Sequence, residues 1–415
     1  MRQIYLDHSA TTPVDPEVLK AMLPYFADKF GNASSIHSYG QEARAAVDQA
    51  RETVANFLNC KTSEIIFTSG GSESDNLAIK GLIEVSRDRL RLNKKKPHVI
   101  TSAFEHHAVF DTVKELEKEG KIEATYIIPG NDGIITTEEI ERAIKENTVL
   151  VSIMYVNNEI GTVQPIREIG KIIEKLNRDR LSVDQIISGE TNQPINQSTN
   201  QRIFFHTDAV QAAEYFNMDV DYLHVDLLTF SAHKIYGPKG IGVLYARKGT
   251  PLKHQIVGGG QEYKMRAGTE NIAGIVGLAE AAKQITNHKS QITNIKKLRD
   301  KLIRGIEKNI PACRLNGSNI NRSPNNVSFS FKNAEGESIL LNLDSLGIAA
   351  SSGSACTSGS LEPSHVLLAI GTSPEEAHGS VRFTLGLGTT EKEVDYVIKV
   401  LPDIIKKLRK MSPYK

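Results

Sequence analysis

Cysteine is nearly absent from this chain: three in 415 residues, Cys60, Cys313 and Cys356, with no CxxC pair among them. So sparse and odd a set argues against a disulfide framework and against a thiolate zinc site. A cysteine that carries chemistry here carries it alone, as a nucleophile. Net charge is nearly absent too. Lys+Arg 50 against Asp+Glu 49 leaves a formal +1, which gives no global pull toward nucleic acid or a membrane surface. No apolar run reaches the length of a membrane span. The opening residues, Met1-Arg2-Gln3-Ile4-Tyr5-Leu6-Asp7, lack the apolar centre of a secretory signal, so a cytoplasmic protein is expected. What the chain does have is bulk. At 40% hydrophobic content it can bury a large core, with material for two or three domains.

Short apolar runs alternate with stretches of helical spacing. Residues 64–68, 99–102, 124–128, 149–156, 204–208 and 241–245 read as strands, and residues 16–26 and 41–58 as helices. Runs as continuous as 149–156 mark a mainly parallel sheet buried on both faces. Functional groups of an open α/β sheet gather at the carboxyl ends of its strands. His106, Asn158, Asp208 and Lys234 all fall at such ends.

Lys234 closes an apolar run from Asp226 that stops at Gly237-Pro238. A lysine at the end of a half-buried strand is costly, because desolvation opposes its charge. That position suits an amine that must attack a carbonyl as a Schiff base. Asp208 ends the preceding run, and a Lys with an Asp is the usual anchor pair for pyridoxal phosphate, the Asp holding the pyridine nitrogen protonated. Ser69-Gly70-Gly71-Ser72-Glu73-Ser74 turns from a strand into a helix, which makes an anion cradle of free N–H groups and the positive dipole end. It lacks the Gly-Lys-Ser/Thr of a P-loop and the third glycine of a dinucleotide fingerprint. Cys356 lies in a Ser/Gly-rich run, 350–360, with little side-chain bulk around it. Taken singly, each has a plainer reading: a snorkelling lysine, a capping Asp, a packing turn, a small buried thiol. Cys60 and Cys313 keep that plainer reading. A metal hydrolase built on Glu105, His106, His107, His206 and Asp208 is a rival, but the spacing fits no standard ligand pattern.

The texture changes from Leu181 to Arg202, where Asn and Gln recur without aromatics; about 182–202 reads as a low-complexity surface insertion. Gly258-Gly259-Gly260-Gln261-Glu262 marks a crossover between domains. A long helical stretch follows from Ile272 to Ile310, then strands at 326–331 and 381–386 and a closing amphipathic helix. These belong to a second, smaller α/β domain.

Five motifs, in order along almost the whole chain, now carry a resemblance. They are Tyr5-Leu6-Asp7-His8-Ser9-Ala10-Thr11-Thr12-Pro13, Thr68-Ser69-Gly70-Gly71-Ser72-Glu73-Ser74-Asp75-Asn76, Val156-Asn157-Asn158-Glu159-Ile160-Gly161, Ser231-Ala232-His233-Lys234-Ile235-Tyr236-Gly237-Pro238-Lys239-Gly240 and Ser351-Ser352-Gly353-Ser354-Ala355-Cys356-Thr357-Ser358. The chain resembles the cysteine desulfurases, class V aminotransferase-type enzymes of fold type I, and among them the branch that supplies sulfur for iron–sulfur clusters. The resemblance implies an α/β PLP-transferase architecture: a large mainly parallel-sheet domain over 15–262, with a small domain from 263–415 and the arm 1–14. It implies pyridoxal phosphate bound to Lys234, with its phosphate held by Gly71, Ser72, Ser231 and His233, and by Thr269 from the partner subunit of a homodimer. His106 would stack on the ring and assist proton transfer, Asp208 would pair with the ring nitrogen, and Gln211 with the ring hydroxyl. Asn158 and Arg382 would hold the carboxylate of L-cysteine. Cys356 would take the sulfur as a persulfide and leave alanine. The sulfur would pass to an iron–sulfur scaffold or another acceptor protein, tRNA thiolation included, and Cys356 is a candidate shared cluster ligand with that scaffold. A plain aminotransferase would have no use for Cys356; a selenocysteine lyase would differ in substrate alone.

Overall fold

A computed structural model describes residues 3–90, 95–188, 202–352 and 362–411. Among these, twelve strands form three sheets. In chain order they are β1 (Ile4–Tyr5), β2 (Ile65–Thr68), β3 (His98–Ser102), β4 (Glu123–Ile127), β5 (Thr148–Ser152), β6 (Phe204–Asp208), β7 (Leu227–Ser231), β8 (Gly242–Ala246), β9 (Cys313–Leu315), β10 (Asn326–Phe331), β11 (Ile348–Ala349) and β12 (Ser380–Thr384).

The large sheet runs β2-β8-β7-β6-β5-β3-β4. Strands β4, β3, β5, β6 and β7 are parallel, while β8 lies antiparallel to both β7 and β2. Successive side chains on a strand point to opposite faces, and both faces here are covered. Ile65 and Phe67 enter one apolar cluster with the helices Ser38–Leu58 and Ile272–Gln284, while Ile66 enters another with the helices Gly71–Leu90 and His107–Lys118. This is the doubly covered, mainly parallel α/β sheet that the apolar runs foretold.

The second sheet, β12-β10-β9, is antiparallel. It packs Phe329, Phe331, Val381 and Phe383 against Leu298 and Leu302 of the helix Lys289–Asn309 and against Val397 and Leu401 of the helix Glu391–Met411. The first residues of the chain join this core: β1 pairs in parallel with β11, and Ile4 and Leu6 are buried there. From β1 the arm crosses to the large sheet. Thr12 N–H donates to the His233 carbonyl and Asp15 N–H to that of Tyr236.

Several boundaries differ from the sequence reading. β7 ends at Ser231, and Lys234 closes a single 3-10 turn, Ala232–Lys234. The run 149–156 leaves the ladder after Ser152, although the Ile153 and Tyr155 N–H groups still reach the carbonyls of His206 and Asp208. The stretch 272–310 is two helices joined by the turn Ile285–His288, where buried His288 bonds Glu214 at 2.7 Å. The supposed start of the insertion is helical: Ile166–Ser188 runs unbroken through 182–188. The rest of it, 189–201, lies outside the described residues.

Candidate active site

The parallel strands discharge their chains along one edge, and a cavity of about 350 Å³ opens there. Gly71, Ser72, His106, Asn158, Asp208, Gln211, Ser231, His233, Lys234 and Arg382 line it together. These come from regions of the sequence more than three hundred residues apart. Thr269 is not among the lining; it is exposed on the loop that follows Gly268. Cys356 lies outside the described residues. Ser9, Ala10 and Asp75 also line the cavity and were not anticipated. Asp75 stands four residues after Gly71, on the same face of the helix Gly71–Leu90, so helical spacing held that signal.

The helix Gly71–Leu90 begins at the cavity wall. Its first-turn N–H groups have no intrahelical acceptors, and its dipole turns its positive end to the same place. The backbone at 71 runs close to the residues that follow β6, and a Cβ there would come within 2.8 Å of Val210 Cγ2 and make that side chain shift. Lys234 projects from the 3-10 turn, and its ammonium donates to the carbonyls of Ser9 and Ala10 on the arm, the latter at 2.7 Å. Gln211 Nε2 donates to the same Ser9 carbonyl at 2.9 Å, and His233 Nδ1 lies 3.2 Å from Thr11 Oγ1. Asp208 Oδ1 accepts the Val210 N–H at 2.9 Å. His106 caps the helix His107–Lys118, its Nδ1 accepting from Ala108 N–H at 3.2 Å.

Arg382, 2% exposed, comes from the small sheet. Its Nη1 donates to the Asn158 carbonyl at 2.8 Å and its Nη2 to Asp7 Oδ1 at 3.0 Å. Asp7 Oδ2 in turn accepts the Ser351 hydroxyl at 2.8 Å. Arg382 Nε and Asn158 Oδ1 are buried with no hydrogen-bond partner. A buried guanidinium donor without a partner is costly by itself, and a carboxylate is the acceptor that complements it.

Burial governs the titration of these groups. It pushes Asp208 up to about 7, with the nearby Asp75 carboxyl adding to the rise and the Val210 N–H, His206 and Lys234 opposing it. It pushes His106 down to about 4, with Lys234 adding to the fall, and it lowers His233 to about 4 in the same way. Both imidazoles are therefore neutral at neutral pH, able to stack or accept rather than to act as cations. Cys60 is pushed up to about 12 and Cys313 is raised, each by burial first, which keeps both thiols protonated and unreactive.

His206, one of the residues of the rival metal site, has other partners. His206 bonds Ser152 Oγ at 2.8 Å and Thr229 Oγ1 at 3.2 Å, deep in the sheet. Among the described residues no three His, Cys, Asp or Glu side chains converge on a metal-sized site. The donor set fits pyridoxal phosphate instead: a primary amine, a buried carboxyl, a neutral imidazole, and a helix start with little bulk at 71.

Comparison with known proteins agrees with this geometry. The family model for aminotransferase class-V matches residues 4–193 and 187–397. The chain is 48% identical over 415 residues to the cysteine desulfurase IscS of Dictyoglomus turgidum, covering 100% of this chain and 97% of the relative. It is 46% identical to that of Methanosarcina thermophila over 99% of this chain and 94% of the relative. Among solved structures, a NifS-like protein superposes with a TM-score of 0.84 at 35% identity, covering 98% of this chain and all of the other. SspA in complex with cysteine gives 0.76 at 36% identity, over 92% and 99%. The chain belongs to the aminotransferase class-V family and, within it, to the cysteine desulfurases.

Proposed function

We propose that this protein is a pyridoxal-phosphate-dependent cysteine desulfurase that takes the sulfur of L-cysteine, releases L-alanine and carries the sulfur as a persulfide on Cys356. The observation that carries the reading is the convergence of Lys234, Asp208, His106 and the helix start at Gly71 with a buried, half-satisfied Arg382 in one cavity. Lys234 would hold the coenzyme's aldehyde through its amine. Gly71, Ser72, Ser231 and His233 would hold its phosphate, Asp208 its ring nitrogen, Gln211 its ring hydroxyl and His106 its face. The coenzyme, once bound, supplies an electron-withdrawing ring that lets the substrate's α-proton leave and its Cβ–S bond break.

The protein's own groups do the rest. Arg382 Nε and the Asn158 side chain bind the substrate carboxylate, which fixes the amino acid's orientation. The Lys234 amine would hold and move the substrate's α-proton at Nζ. The Cys356 thiolate attacks the substrate sulfur: an S–S bond forms, the C–S bond breaks, and the electron pair left on carbon picks up a proton to give alanine. Thr269, exposed and away from its own chain's cavity, suits a contribution to a second subunit, so the working form is proposed to be a homodimer. Sulfur would pass to an iron–sulfur scaffold or another acceptor protein in the cytoplasm, with Cys356 a candidate shared cluster ligand. No helix among the described residues is long and apolar enough to cross a membrane.

The test is spectroscopic and chemical. The purified protein should absorb in the visible and lose that band on borohydride treatment or in Lys234→Ala. Cys356→Ala should keep the band and lose sulfur release from L-cysteine. A colourless protein that pyridoxal phosphate does not reconstitute would overturn the reading.

A further inference from the structure

Beneath the cavity floor lies a polar layer that the desulfurase reading does not use. The helix Gly71–Leu90 lays Asp75 over β6 and β7, and the carboxyl contacts the Thr229 hydroxyl of β7. Thr229 Oγ1 lies 3.2 Å from His206 Nε2, and His206 Nδ1 lies 2.8 Å from Ser152 Oγ on β5. One hydrogen-bonded row thus crosses three adjacent strands one layer below Asp208. Asp75 is 1% exposed and lines the cavity beside Asp208. Its Oδ1 has no hydrogen-bond partner, and His206 Nε2 is 3.5 Å away.

A third carboxyl belongs to the group. Glu105, fully buried in the turn after β3, accepts from Ser102 Oγ at 2.5 Å and from Met154 N–H at 3.0 Å through Oε1, while its Oε2 has no partner. The charged and titratable groups that bear on this layer are Asp75 from the helix, His206 and Asp208 from β6, Glu105, and Lys234, which acts on Asp208. Three carboxylates with one nearby cation cannot all stay ionised out of water, because like charges raise one another's proton affinity and burial adds to it. Asp208 has the best claim to the negative charge, having both the Val210 N–H and Lys234. Asp75 has neither, and a neutral acid needs neither.

We propose that Asp75 is a positioning residue that works as a protonated, uncharged acid, holding the proton that leaves Asp208 the ionised carboxylate of the floor. The inference rests on the reading in which Asp208 serves the coenzyme's ring nitrogen. Its physical content is a sharing of protons among neighbours: Asp75 and Glu105 neutral, Asp208 charged, His206 neutral between them. Burial pushes all three carboxyls up, Asp75 and Asp208 to about 7 and Glu105 to about 8; the Val210 N–H and Lys234 single out Asp208 as the member that gives up its proton first, and the sharing dissolves above neutrality. Asp75→Asn is close in shape to the neutral acid but cannot ionise.

The holoenzyme decides the matter by two readouts. In infrared difference spectra between about pH 6 and about pH 9, the wild type should lose a carbonyl stretch of protonated carboxylic acid, and D75N should lack that component. In the visible, the wild-type coenzyme band should carry a titration step near about 7 that D75N lacks, while Asp75→Glu restores a step. A D75N infrared difference identical to wild type, or a visible titration unmoved by the substitution, overturns the proposal. If D75N does not fold, Asp75→Glu takes its place in the infrared arm: the lost carbonyl component should shift in frequency with the substitution, and a component that does not shift, or no protonated acid at about pH 6, overturns the proposal. A colourless protein would sink the coenzyme reading but leave the infrared result on Asp75 standing.

Discussion

Arg382 does two things with one guanidinium. Two of its nitrogens are spent inside the protein, on the Asn158 carbonyl and on Asp7, and the third, Nε, has no partner there, which is what the proposed carboxylate site uses. A planar fork can divide its donors in this way, whereas an ammonium is a single rotating point charge. Arg382→Lys should therefore keep the visible band and raise KM for L-cysteine by roughly 10- to 100-fold, the value of about 1.5–3 kcal/mol for a charge-assisted bond; steady-state kinetics beside the absorption spectrum would check it. An unchanged KM would remove Arg382 from the carboxylate site. The strand-end polar groups and the glycine turn were legible because period and position mark them without reference to the fold. Asp7 as the partner of Arg382 was not, since 375 residues separate them and only tertiary pairing, of β1 with β11 and of Asp7 with Thr384 of β12, brings the arm to the small sheet. Cys60 and Cys313 read as inert from sequence, and burial gives the reason. Peptide mapping after brief alkylation at neutral pH should find them largely unmodified.

The run Gly258–Glu262 reads as a crossover, but its flexibility stops short of its last residue. Glu262, Tyr263 and Lys264 all take left-handed φ, at 46°, 56° and 66°. A non-glycine residue there costs about 1–3 kcal/mol. Three in succession persist only if something else over-determines them. Glu262 supplies it: both its oxygens take the Arg51 guanidinium, at 2.9 and 2.7 Å, and one also accepts Phe67 N–H at 2.9 Å. Arg51 is buried, stacks near Phe67 and Tyr263, and caps the Ile65 carbonyl at 2.7 Å. Removing one member strands a buried charge, so Glu262→Ala should cost about 3–5 kcal/mol. Arg51→Met with Glu262→Leu should recover a large part of that loss, as measured by denaturant unfolding at neutral pH. Equal losses in the single and double variants would mean that the turn, not the charge, is what suffers. Nothing in the composition of this stretch announces left-handed backbone, because its cause is an ion pair with a helix some two hundred residues earlier.

At the scale of the whole molecule, stability against pH follows from which buried groups refuse charge. Asp75 and Glu159 are pushed up to about 7 and Glu105 to about 8, in each case by burial first. His98, His106, His206 and His233 are pushed down to about 4, again by burial first. The two sets act with opposite sign. A carboxyl whose folded value is raised stays protonated in the fold after it has ionised in the unfolded chain, so its contribution falls as pH climbs from the ordinary value to the raised one. An imidazole whose folded value is lowered does the reverse: stability rises from about 4 to the ordinary 6.5 and is level beyond. Below about 6.5 the sets offset each other; above it only the carboxyls still act. The coenzyme-free protein should therefore melt highest near about pH 6.5, fall steadily to about pH 8, and flatten there. Thermal scans of the apoprotein at closely spaced pH would show it. A midpoint that climbs across that interval would mean that the carboxyls under the cavity are ionised in the fold, paired in a way that leaves no need for a proton.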